Sequence, residues 1–179
     1  MEMMMLNPEL FSITQSKEMG LWPPSDIVAH GIWPYIKRLK ESNLVVLDVG
    51  IMKGENAVYL LEKDTEKKIK TIYGIISFEK AKEEEFKYCD ELLKRNVEGL
   101  DRVSTNYNNE PAHVVCIHAN SDLDSNLEKY YTAVKSGGIF CGNEHHLSRV
   151  KVALSNFRRQ NKIGTPIMVS NDCWLWIKR

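Results

Sequence analysis

The chain has 179 residues, with 24 Lys plus Arg against 24 Asp plus Glu, so its formal net charge at neutral pH is zero. Without a global basic field to gather phosphates or an anionic lipid surface, neither nucleic acid nor a membrane is expected as a partner. This length is enough for one domain to bury a core without disulfides or metal ions.

The amino terminus, MEMMMLNPELF, carries an early glutamate, no basic stretch and no long apolar run. It reads as neither a signal peptide nor a membrane span, and a cytoplasmic protein is expected. Cys89, Cys116, Cys141 and Cys173 are widely spaced with no C-x-x-C pair, so buried reduced thiols are expected over zinc ligands or a disulfide framework.

In chain order, Trp22-Pro23-Pro24 reads as a rigid connector, and Ser25 as a cap for a short helix that Pro34 restarts, with Ile36 and Leu39 facing inward. Residues 1–41 are read as an accessory segment and residues 42–179 as the main α/β domain. Leu44 to Val49 is a fully buried first strand. Glu55 to Glu62 is a helix with Ala57, Val58 and Leu61 on one side.

Ile69 to Ile76 is the second strand, and Phe78 to Val97 a long helix closed by Gly99. Its charged stretch EKAKEEEFK reads as a solvated face. Arg102 to Thr105 is a weak third strand and His113 to His118 a strong fourth. Leu123, Leu127, Tyr130 and Val134 recur at helical steps, predicting a helix that closes at Ser136-Gly137-Gly138 before the strand Ile139 to Gly142. Val150, Ala153, Leu154 and Phe157 mark a further helix. Pro166 to Val169 and Trp174 to Ile177, joined by Ser170-Asn171-Asp172, form a hairpin. Alternating strands and helices predict a mostly parallel sheet covered on both faces.

Two stretches carry a resemblance. LDVGIMKG, Leu47 to Gly54, is similar to the first motif of the class I S-adenosylmethionine-dependent methyltransferases, an acid at the end of the first strand followed by a glycine-rich turn. VVCIHANSDLDSNLEKYYTAVKSGGIFCGNEHH, Val114 to His146, resembles in rhythm the small-molecule and sugar methyltransferases and cephalosporin-hydroxylase-like proteins. The spacing G-x-x-x-G differs from the G-x-G-x-x-G of nicotinamide-binding folds, and the terminal hairpin also separates the two. The resemblance implies a Rossmann-like three-layer α/β/α sandwich whose seven strands take the order 3-2-1-4-5-7-6.

It also implies S-adenosylmethionine as cofactor. Asp48 would lie near the methionine portion, with Gly50 and Gly54 allowing close backbone approach. At the end of the second strand the family places an acid for the ribose hydroxyls. Ile76 stands there instead, leaving Ser77 or Glu79 as substitutes. NYNNEPA, Asn106 to Ala112, is a short wall for an adenine, with Tyr107 either stacking on the base or packing on the domain edge. His118, Asn120 and Asn143 stand where acids are expected.

His118, Glu144 and His145 are the candidate catalytic residues. In one reading His118 is a general base, with Glu144 orienting it or acting in its place. In another, His118, Glu144 and His145 hold a divalent metal. The bland alternative has His145 and His146 as exposed loop residues and His118 as a satisfied polar residue at a strand end, while Trp174 and Trp176 read as core. Two functions follow: methyl transfer to a hydroxyl or amine of a small molecule, or a catalytically degenerate methyltransferase-like binding or regulatory protein. A homodimer is expected only as a habit of the fold.

Overall fold

The computed structural model describes residues 28–51, 54–77, 91, 93–119 and 122–179. Helix α1 (Val28–Ile36) leads into β1 (Leu44–Val49), α2 (Glu55–Lys63) and β2 (Ile69–Ile75). After helical residues 93–97 come β3 (Val103–Ser104), β4 (Ala112–Ile117), α3 (Leu123–Tyr131), β5 (Val134–Gly142), α4 (Ser148–Gln160), β6 (Met168–Ser170) and β7 (Cys173–Ile177). These strands make a seven-stranded sheet in the order β3-β2-β1-β4-β5-β7-β6. The pairs from β3 to β5 are parallel, and β7 runs antiparallel to both β5 and β6. This is the Rossmann-like sandwich, strand order and closing hairpin expected from the sequence.

Alternation along the strands builds two cores. Leu44, Val46, Val114, Cys116, Ile139 and Cys141 point to the side covered by α1 and α2. Val45, Leu47, Val49, Val115, Ile117 and Phe140 point to the side covered by α3 and α4. With both faces covered, β1 is buried along its whole length, including Asp48. That is why its sequence is almost continuously apolar rather than alternating. Trp174 and Trp176 share one face of β7, stack at 5.3 Å and join the second core, as their spacing predicts.

Three local readings need correction. Pro34 lies inside α1 and restarts nothing; Val28, Ala29, Ile32 and Ile36 of that helix are all buried in the first core. Val134 does not end the helix begun by Leu123. The helix stops at Tyr131, and Val134 opens β5 opposite Ala112. Ser136-Gly137-Gly138 then forms an irregularity within that strand, because register jumps from Val134 to Ile139 while β4 advances from Ala112 to Val114. Gly138 permits this: a Cβ there would sit 2.7 Å from the His113 carbonyl oxygen. The hairpin strand placed at Pro166 to Val169 is shifted to Met168–Ser170. Its turn is Asn171-Asp172, both left-handed at φ 47° and 61°, the pairing a two-residue type I′ turn requires. Strands two, three and four each differ from their expected limits by a residue at one end or both.

Cys116, Cys141 and Cys173 are buried and free, as expected. The connector at Trp22 to Pro24, the Ser25 cap, Cys89 and most of the helix placed at Phe78 to Val97 lie outside the described residues. Gly99, at φ 78°, follows the last helical residues as a left-handed terminator.

His113, for which the sequence supplied no role, completes the ladder between β1 and β4. Its Nδ1 accepts the Val45 N–H at 3.0 Å. Burial, with Lys135 nearby, lowers its pKa. The folded chain therefore holds fewer protons here than the unfolded one, so this contribution is full above the ordinary histidine pKa of about 6.5 and is lost as pH falls below it. Asn in place of His113 keeps an acceptor and removes the charge. Urea unfolding of His113→Asn should show a flatter acid limb of stability than the parent chain, and an unchanged limb would refute this role.

Candidate functional site

The parallel strands β1, β2, β4 and β5 end on the same edge of the sheet, and the strand order, which runs outward one way through β2 and β3, turns to the other side between β1 and β4. In such sheets ligands bind in the crevice beyond these ends. The tip of β1 is made by Gly50, left-handed at φ 85°. Gly50 N–H and Ile51 N–H both donate to the Ile75 carbonyl, at 2.8 and 3.3 Å, so the turn is tied to the tip of β2. Gly54 caps α2, also left-handed at φ 87°. A Cβ on it would lie 3.1 Å from Val97 and 3.2 Å from Leu93, so glycine serves helix packing here as well as the turn.

The centre of the site is a pair that joins neighbouring strands. His118, one residue past β4, donates from Nε2 to Asp48 Oδ1 at 2.5 Å. Asp48 is fully buried and His118 is 9% exposed, so little water competes for the bond. Burial by itself depresses the imidazole pKa, but the charge and hydrogen bond of Asp48, with smaller help from Glu55 and Glu144, outweigh it and leave the pKa raised. Asp48 Oδ2 is buried and has no hydrogen-bond partner among the described residues. Asp48 thus orients His118, the task the sequence reading assigned to Glu144.

Beyond β5, the residues from Asn143 to His146 separate. Asn143 is buried, and its Oδ1 accepts the Ala119 N–H at 2.8 Å. Glu144, left-handed at φ 55°, pairs with Arg149 Nη2 at 2.9 Å. Arg149 Nη1 donates to the Ala119 carbonyl at 2.9 Å. His145 donates its backbone N–H to the Asp172 carbonyl in the hairpin turn, and His146 holds the Asp172 carboxylate through its backbone N–H at 2.7 Å and Nδ1 at 2.6 Å. Among the described residues, no three His, Cys, Asp or Glu side chains converge as metal ligands. His118, Glu144 and His145 are therefore not assembled as the metal-binding trio considered above: Glu144 is directed to Arg149 and His118 to Asp48.

At the tip of β2, Ile76 is 39% exposed and lines a groove of about 570 Å³ with Leu93, Val97 and Val103. Ser77 Oγ accepts from Asn126 Nδ2 at 3.3 Å, tying the tip of β2 to the first half of α3. Glu79 and Asn120 lie outside the described residues. Tyr107 packs at the domain edge, its ring 5.3 Å from Tyr73 and its hydroxyl donating to the Glu110 carbonyl at 3.0 Å.

These groups fit the amino-acid end of a sulfonium cofactor. The second Asp48 oxygen, which has no partner among the described residues, suits an ammonium donor, and the carboxylates of Asp48, Glu55 and Glu144 around His118 favour positive charge. At the tip of β2 the described residues offer the Ser77 hydroxyl with the Asn126 amide. Sequence reading did not single out Glu55, Asn126 or Arg149. Asn126 and Arg149 reach their partners 49 and 30 residues away in the chain, a pairing that periodicity does not encode.

No family model and no curated protein matches this sequence. Solved structures do match in fold. The plantazolicin methyltransferase BpumL superposes with a TM-score of 0.58 at 11% identity, covering 93% of this chain and 90% of its own. The O-methyltransferase NovP gives 0.55 at 15% identity, covering 95% and 89%. A precorrin-6y C5,15-methyltransferase from Geobacter metallireducens gives 0.54 at 13% identity, covering 79% and 83%. With its strand order, antiparallel hairpin and strand-end crevice, the chain has the class I S-adenosylmethionine-dependent methyltransferase fold.

Proposed function

We propose that the protein is an S-adenosylmethionine-dependent methyltransferase acting on a hydroxyl or amine of a small molecule. The observation that carries this reading is the buried His118–Asp48 pair at the carboxyl ends of β1 and β4. Asp48, Gly50 and Gly54 would hold the methionine end of the cofactor, and Ser77 with Glu79 the ribose. When bound, the cofactor supplies an electrophilic methyl group.

The chain's own part is orientation and proton removal, because methyl transfer is an in-line displacement that needs few indispensable side chains. With the ring held by Asp48, His118 is the group we assign to proton uptake from the acceptor. Asp48 holds the ring and stabilises the imidazolium that forms, as a buried carboxylate does behind a catalytic histidine. The raised pKa of His118 suits a proton acceptor in this role, and Glu144 contributes through its charge.

A binding protein of the same fold is the second reading, favoured by the apolar Ile76 exposed at the tip of β2. Calorimetric titration separates the two. S-adenosylmethionine and S-adenosylhomocysteine should both bind and NAD should not, with binding abolished in Gly50→Val, whose side chain is strained at φ 85°. A folded sample that binds neither adenosyl compound would end the methyl-transfer reading.

A further inference from the structure

We propose that Arg149 and Asn143 are positioning residues that together lock the His118 backbone against Asp48, an inference that rests on His118 being the proton acceptor. The parallel ladder between β4 and β5 ends at Ile117 and Gly142, and the last backbone bond of this strand end runs from His118 N–H to the Val49 carbonyl at 3.0 Å. Ala119, the next residue, lies past the ladder. Its two backbone groups are nonetheless both taken by side chains: Asn143 Oδ1 receives the N–H at 2.8 Å, and Arg149 Nη1 donates to the carbonyl at 2.9 Å.

Each clamp is itself fixed. The Asn143 carbonyl accepts from the buried Trp174 indole at 3.2 Å, and the second arm of Arg149 is held by Glu144 at 2.9 Å. Hydrogen bonding thus continues two residues beyond the end of β4, at the residue that follows the imidazole. The 2.5 Å bond from His118 to Asp48 tolerates little displacement of that backbone, since such bonds weaken steeply with distance and angle.

Helix stability offers no competing reason for Arg149. It occupies the first turn of α4, where the positive end of the helix dipole disfavours a cation, and that turn contains no acidic residue to offset it. The guanidinium fork is the group that can bond a carbonyl and a carboxylate at once.

The test is imidazole nuclear magnetic resonance on the full chain, with His118→Gln identifying the His118 signals. In the parent protein His118 should show one protonation pattern, with Nε2 bearing a proton that exchanges slowly with water. Arg149→Met, a change on an exposed helix position, should give mixed tautomers and roughly tenfold faster exchange of that proton. Asn143→Leu should do the same, and Arg149→Lys should restore part of the order because its ammonium can still donate to one of the two partners. Unchanged His118 signals in Arg149→Met and Asn143→Leu, in samples with parental circular dichroism, would overturn the positioning role. Titration with S-adenosylhomocysteine separates this from the wider reading: its failure to bind the parent protein refutes methyl transfer, whereas binding with unchanged variant signals refutes only the clamp.

Discussion

Replacing His118 with Gln should lower the rate of methyl transfer by about 10²–10⁴-fold, the usual weight of a positioned general base. Gln keeps a donor for Asp48 Oδ1 but has no basic nitrogen, so the loss would report proton removal rather than collapse of the pair. Asp48→Asn should also be slow, because an amide can present its own N–H to the ring and favour the wrong tautomer. The measurement is S-adenosylhomocysteine formation with phenolic and amine acceptors, followed across pH. Because Asp48 holds the His118 pKa above its ordinary value despite burial, the neutral imidazole needed for catalysis becomes populated only at higher pH. The ascending limb should therefore lie above the range of an ordinary histidine. A His118→Gln variant active within about twofold of the parent would remove the histidine from the mechanism.

The largest effect expected on stability is that of Gly142→Ala. A Cβ on Gly142 would sit 2.3 Å from Cζ2 of Trp174 and 2.4 Å from the Ile117 carbonyl oxygen. Neither neighbour yields easily: Trp174 is fully buried in the aromatic core, and Ile117 is part of the ladder that Gly142 completes. Overpacking of this kind costs about 3 kcal/mol. Gly137→Ala is the contrasting variant, with the left-handed φ of 80° but no neighbour within 4 Å among the described residues. It should lose only about 1–2 kcal/mol, from backbone strain. Urea unfolding compares them directly, and equal midpoints would contradict the packing between the tips of β4 and β5. Those tips carry His118 and Asn143, so the same change should disorder the candidate site.

The two predictions sit on different parts of what was legible in the chain. Buried parallel strands announce themselves as short apolar runs, and Leu44 to Val49 and His113 to His118 were readable for that reason. Asn171-Asp172 marked the hairpin because few residues tolerate the left-handed backbone it needs. The error at Val134 has an equally physical origin. A valine four residues beyond Tyr130 fits a helical stripe, and only pairing with Ala112 turns it into the start of a strand.

By itself the sequence determined the layered α/β fold, the glycine turn after Asp48 and the placing of His118 and the Asn143 to His146 group at strand ends. Periodicity and turn chemistry are local, and they suffice for these. Which side chains meet was decided only by the tertiary structure. Asp48 and His118 are 70 residues apart and become partners because β1 and β4 are neighbours, with Asp48 in register with Cys116. Glu144 turned to Arg149 because a left-handed backbone and the first turn of α4 bring them together. Such choices depend on the sheet's assembled register, which no single stretch of the chain contains.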